Sequence, residues 1–246
     1  TAFNDGLSVL EALTEGKVFV CVQGGFRFDV RNTDKREIRE FRGPHPSGNA
    51  GTHIHFLDPV GVGKEVWHIG YQDVVLIGKL LATGTYFNER WVSVAGPAAL
   101  NPRTVRTTLG ANVQELIDGE LRPGCDDVRG ISGSVFSGRT VDDTFKFLGQ
   151  FTNQITLMQE ERERVFFGWH DAGVDRFSVM RTFVSKLIPK KKFNFGTSRH
   201  GSFRAIVPIG AYEKVMPLDI LPTQMLRALV SKDTDQAQAL GCLELD

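Results

Sequence analysis

The chain has 246 residues, 41% of them apolar and 24% charged, the profile of an ordinary globular protein with room for one large domain or a few small ones. Its 29 Lys and Arg balance 29 Asp and Glu, so no global field draws it to nucleic acid or to an anionic bilayer, and a polyanionic partner is disfavoured. The most hydrophobic stretch, VVLIGKLLATG, is interrupted by Lys79 and falls short of the roughly 18 apolar residues of a membrane span.

In chain order, the opening NDGLSVLEALTEGKVFVCVQGG sets Leu7, Val9, Leu10 and Leu13 at helical spacing, then Gly16, then an apolar run from Val18 to Val22. That pattern predicts a helix, a stop and a buried strand. A charged segment ends in a short strand around Ile38 to Phe41. A further strand is expected near Val66 to Ile69, followed by a helix over about Tyr71 to Ala82 with Val74, Ile77 and Leu81 on its apolar face. Strands alternating with helices suggest a parallel, nucleotide-fold-like layer.

From Glu89 the rhythm changes. ERWVSVAGP, RTVRTTLG, ANVQELIDG and RGISGSVFSG read as strand, strand, short helix, strand, a small α+β unit anchored by Leu116 and Ile117. QFTNQITLM, RVFFGW and RFSVMRTFVSKLI read as a second β-rich stretch. Near the end, Pro217 and Pro222 flank helix starts, and PTQMLRALVS and TDQAQALGCLE are amphipathic.

The three cysteines, Cys21, Cys125 and Cys242, are far apart and form no CxxC pair. A disulfide scaffold and a self-contained zinc or iron–sulfur site are disfavoured, and a reducing cytoplasm is the default. The chain starts TAFNDG without Met or an apolar leader and stops at GCLELD, so both ends read as cuts from something longer.

The densest chemistry lies in GPHPSGNAGTHIHFLDPV, where His45, His53 and His55 fall within eleven positions. His53 and His55 share a face on a strand but lie roughly 200° apart on a helix. Three readings stand: imidazoles bonded to backbone in a structured turn, a binding loop, or a metal site needing Asp58 or His68 as a third ligand. Gly43, Gly48 and Gly51 permit close backbone approach to a ligand, but the spacing matches neither a dinucleotide fingerprint nor a Walker motif, and CVQGGF lacks it too. PKKKFNF (Lys190 to Lys192) reads as a solvated loop, or else as an electrostatic contact surface. The serines of ISGS and FSG do not make a nucleophile elbow, and Trp67, Trp91 and Trp169 are expected in the core or an interface.

Taken together, GPHPSGNAGTHIHFLDPV, VWHIGYQDVVLIGKL, NPRTVRTTLGAN, ISGSVFSG, VPIGAYEKVMPLDILPT and DTDQAQALGCLELD resemble, from about Asn4 to Asp246, the A-subunit family of the bacterial Na⁺-translocating NADH:quinone oxidoreductase. The resemblance implies a multi-domain chain of α/β and α+β class. Its parts would be a Rossmann-like part over 1–86, a small β-grasp domain of the soluble-ligand-binding type over 87–140, a β-rich segment over 141–210 and a C-terminal helical domain over 211–246. A lipoyl-like β-domain of the family would be missing before it, and a C-terminal extension after it.

The family is more distantly similar to the flavin subunit of respiratory complex I and to the C-subunit of the Rnf complex. Where those relatives carry a carboxylate pair in the loop that helps hold FMN, this chain reads Asn49-Ala50, and of the Rnf cluster ligands only Cys242 has a counterpart. The resemblance therefore implies an accessory subunit of a sodium-pumping NADH:ubiquinone reductase, without its own redox cofactor. Flavins and an iron–sulfur centre would sit on partner subunits, some of them membrane-embedded, in a six-subunit complex at the cytoplasmic face of the bacterial inner membrane. Ubiquinone is the expected ligand, and quinone carbonyls want N–H donors while the ring wants an apolar wall. His45, His53, His55, Trp67 and His68 supply those types. A scaffold that docks on the membrane subunits without touching quinone is the alternative.

Overall fold

Thr1 caps the first helix, α1 (Ala2–Leu13), its hydroxyl accepting from the Asn4 N–H, and the helical spacing of Leu7 and Leu10 turns that face inward. Extended backbone at Thr14 ends it, and the apolar run that follows becomes β1 (Val18–Gln23). β1 pairs in parallel with β2 (Arg36–Phe41), Val20 opposite Ile38. The expected parallel layer is this two-stranded pair, and no helix lies on the 24–35 connection. The computed structural model describes residues 1–163, 165–168, 170–179 and 181–245; Trp169 and the first position of RVFFGW thus lie outside the described residues.

Two further helices complete this part, α2 (Ala50–Leu57) and α3 (Tyr71–Thr83). α3 stops at Gly84, whose φ of 70° an L side chain rarely adopts. α1 and α3 meet backbone to backbone through glycines: a Cβ built on Gly78 would lie 1.8 Å from the Ala2 carbonyl oxygen, and one on Gly6 2.1 Å from that of Val74. The small core beneath holds Leu7, Val20 and Val74. Arg36, 5% exposed, ties β2 to α1, its Nε donating to Glu11 at 2.8 Å and its guanidinium to the carbonyl of Arg31 at 2.6 Å. Paired and bonded in this way, a buried guanidinium is tolerated.

The structure divides into two compact units, Thr1–Phe87 with Arg204–Asp246, and Asn88–Phe203. The first also holds α5 (Pro222–Ser231), with proline in its first turn, and α6 (Thr234–Ala239), capped by the Asp233 carboxylate. Pro222, Thr223, Met225, Ala228 and Ala237 are their buried residues.

The second unit is one mixed sheet. β3 (Glu89–Ala95), β4 (Arg103–Thr108), β5 (Val128–Ser132), β6 (Arg139–Thr140) and β7 (Gln154–Gln159) run in the order β4-β3-β7-β5-β6, with β3 and β7 parallel and the other pairs antiparallel. Alternation along β3 sends Arg90, Val92 and Val94 inward. Val92 and Val94 meet Ile155 and Leu157 of β7, and Val113 and Ile117 of α4 (Val113–Ile117), in one core.

Several expectations need correction. Val66 to Ile69 forms no strand, because an apolar run without a neighbouring ladder leaves its backbone groups unpaired and gains nothing from extension. Of the expected β-rich stretch, only QITLMQ becomes a strand among the described residues, and it joins the 89–140 sheet as β7; RFSVMRTFVSKLI yields a 3-10 turn, Val184–Leu187. Pro217 starts no helix. Leu81 is 65% exposed and falls outside the α3 core face. Trp67 and Trp91 are exposed as well, which removes them from the core and leaves the interface alternative.

Candidate functional site

GPHPSGNAGTHIHFL folds as a tight loop running into α2, closed by its own hydrogen bonds. The Ser47 N–H donates to the Pro44 carbonyl and the Asn49 N–H to that of Pro46, both at 2.9 Å. The Ser47 hydroxyl donates to the Gly43 carbonyl at 2.9 Å and the Thr52 hydroxyl to the Pro46 carbonyl at 3.0 Å. The His45–Pro46 peptide is cis, and His45 itself is exposed.

Because the segment is helical from Ala50, His53 and His55 point to different surroundings. The His53 ring lies on Phe41 at the end of β2, centroids 4.1 Å apart, and its Nε2 is 2.9 Å from the Ser47 carbonyl. A carbonyl only accepts, so Nε2 carries the proton. His55 has the opposite tautomer. Its Nε2 accepts from the Asp219 N–H at 3.0 Å, which puts the proton on Nδ1, 2.5 Å from a Glu244 carboxylate oxygen. The pair is mostly shielded, with 13% of the imidazole and 18% of the carboxyl side chain exposed. His55 therefore braces α2 against the turns on either side of α5 and α6, within one unit.

The two helical histidines thus have their N–H donors committed, to a carbonyl and to a carboxylate. Trp67, 88% exposed, and His68 lie in the irregular segment before α3. The five residues expected at a quinone contact divide accordingly: His53 and His55 are held inside the fold, whereas His45, Trp67 and His68 are on its surface. Among the described residues no three His, Cys, Asp or Glu side chains are grouped to hold a metal ion. Asn49 and Ala50 follow Gly48 in the loop, Asn49 at the start of α2. Cys242 lines an apolar cavity of about 130 Å³ beside α6, with Leu229 and Ala237.

Sequence reasoning missed Glu244, Asp219 and Phe41. Spacing carries no signal for them, since Glu244 lies 189 residues beyond His55. The one usable clue was the isolated carboxylate in the otherwise apolar GCLEL.

Comparison with known proteins points to one family. A family model described as the NqrA second alpha/beta domain matches residues 1–86, and one described as the NQRA C-terminal domain matches residues 91–143. The A-subunit of the Na(+)-translocating NADH-quinone reductase from Saccharophagus degradans is 55% identical over 245 residues, 100% of this chain and 54% of that protein. The corresponding proteins of Marinomonas sp. and Hahella chejuensis are 54% and 52% identical, covering 100% and 99% of this chain and again 54% of each relative. The chain spans about half the length of the curated relatives it matches.

Proposed function

Since the chain belongs to the A-subunit family of the Na(+)-translocating NADH-quinone reductases, we propose that it acts as an accessory subunit of that complex and contributes to quinone binding without a redox centre of its own. The observation that carries this reading is a collinear match of 50% identity or more over essentially the whole chain, joined to a loop where flavin-holding carboxylates are replaced by Asn49-Ala50.

In this reading the exposed indole of Trp67 supplies the wall for the quinone ring, and His68 and His45 supply donors for its carbonyls. His53 and His55 act as positioning residues: they hold the loop and α2 but do not touch the ligand. Electrons pass through flavins and an iron–sulfur centre on partner subunits, and the chain docks through those partners on the cytoplasmic face of the inner membrane. No helix among the described residues is long and apolar enough to cross a membrane.

A second reading, a scaffold that docks on the membrane subunits without contacting quinone, is favoured by the committed donors of His53 and His55. Calorimetric titration with a short-chain ubiquinone, against a redox-inert analogue, separates the two. Saturable heat with both ligands supports the binding role. Absence of heat favours the scaffold.

A further inference from the structure

Between Arg176 and Phe203 the sequence has seven Lys or Arg and no Asp or Glu. This block of 28 residues therefore carries a formal charge of +7 inside a chain whose total is zero. Carboxylates from outside the block reach two of the seven, Arg176 through Asp171 at 3.3 Å and Lys191 through Asp175 at 2.6 Å. Among the described residues no carboxylate lies within ion-pair distance of Arg181, Lys186, Lys190, Lys192 or Arg199. These five side chains are exposed.

Apolar groups occur in the same block of sequence. Phe177 packs edge-on to Phe193 and Phe195, each at 5.5 Å. Arg199 lies 4.1 Å over the Phe203 ring. A cavity of about 270 Å³ has Lys186, Lys190 and Lys191 around Phe177 and Phe193. Val179, Leu187 and Phe203 are at least 74% exposed. Apart from the 3-10 turn Val184–Leu187, the described residues here form no regular element.

We propose that residues 176–203 form a contact surface for an anionic lipid bilayer. Charge complementarity selects the negative leaflet: each Lys or Arg held near it raises partitioning about fivefold. The uncovered phenylalanine, leucine and valine side chains select a lipid interface over an acidic protein, because they gain by entering the headgroup–acyl boundary and gain nothing from carboxylates. An isolated patch of this kind binds reversibly and needs no spanning helix. The inference goes beyond the quinone reading and holds whether or not quinone binds.

Sedimentation of the 246-residue chain with vesicles tests it. Phosphatidylcholine vesicles containing phosphatidylglycerol should retain the chain at low salt and release it as salt rises, while phosphatidylcholine alone should retain little. The variant K186E/K190E/K192E/R199E should lose more than about a hundredfold in partitioning and keep its melting temperature, since all four side chains are exposed. The variant L187S/F203S should bind more weakly with an unchanged salt slope. Failure to sediment with phosphatidylglycerol at low salt would overturn the proposal, as would equal retention by neutral vesicles or undiminished binding of the quadruple variant. Capture by immobilised poly-glutamate without vesicle binding would instead assign the patch to an acidic protein and overturn it too. Quinone titration of the quadruple variant reads the other function separately.

Discussion

Replacing Gly78 by alanine tests the close crossing of α1 and α3. In an isolated helix the change stabilises by about 1 kcal/mol, since glycine loses more backbone freedom on folding. Here the new Cβ would sit 1.8 Å from the Ala2 carbonyl oxygen and 2.8 Å from the Gly6 nitrogen. Both obstacles are backbone, so no rotamer change relieves them. Ordinary contact begins at 3.4 Å, and α1 and α3 must part by about 1.5 Å to restore it. Parting them loosens Leu7 and Val74, each 3% exposed. Overpacking of this kind costs about 1–3 kcal/mol, and a backbone obstacle places it at the upper end. After the propensity gain, a net loss of about 2 kcal/mol is expected, or roughly 4–8 °C in melting temperature for a chain of this size. Urea denaturation followed by circular dichroism reads the loss. Gly61→Ala serves as the control, because nothing lies within 4 Å of a Cβ there. A Gly78→Ala protein as stable as the parent, or more so, would refute the close crossing.

Three further outcomes are expected. Removing Glu244 strands the Nδ1–H of a largely shielded imidazole, so Glu244→Ala should cost about 1 kcal/mol; a double-mutant cycle with His55→Ala should give a coupling above about 0.5 kcal/mol, and a coupling of zero would dissolve the brace. The Arg162 hydrogen bond holds the Asp127 carboxyl below its ordinary range. Its folded pKa lies below its unfolded one, so the small stabilisation is present above the unfolded value and fades as pH falls through the lowered folded value. A carboxyl titration by NMR should show Asp127 moving back up in Arg162→Gln, and no movement would deny the pair. Burial pushes the Cys21 thiol up, so at mildly alkaline pH it should react with a disulfide reagent more slowly than free cysteine; reaction at the free rate would place it in solvent.

What the sequence made legible were elements with strong periodicity and a local partner. α1, β1, β2 and α3 follow from the spacing of Leu7 and Val74 and the apolar run through Val20, and the β3–β4–α4–β5 unit from alternation along ERWVSVA. Apolar runs without a ladder partner misled the reading at Val66 to Ile69 and at 176–188, since β-propensity describes a fit to a half-buried surface that those segments never reach. The exposed Trp67 and Trp91 oppose the usual burial of indoles.

The histidine loop was legible as a place and not as a mechanism. Periodicity left strand and helix open at His53 and His55, and that choice alone decides whether they act together. Once α2 forms they diverge, one to Ser47 and the other to Glu244. A net charge of zero likewise hid the basic block, because a sum over the chain cannot report where its charges sit.

The quinone contact is tested most directly by the fluorescence of Trp67. In a W91F/W169F background this 88% exposed indole is the sole tryptophan, and a quinone stacked on it quenches its emission. Titration with a short-chain ubiquinone should quench saturably, with the midpoint shifted upward by His68→Ala. Quenching that rises linearly without saturation, and ignores His68→Ala, would contradict a quinone site at this surface and leave the chain a scaffold.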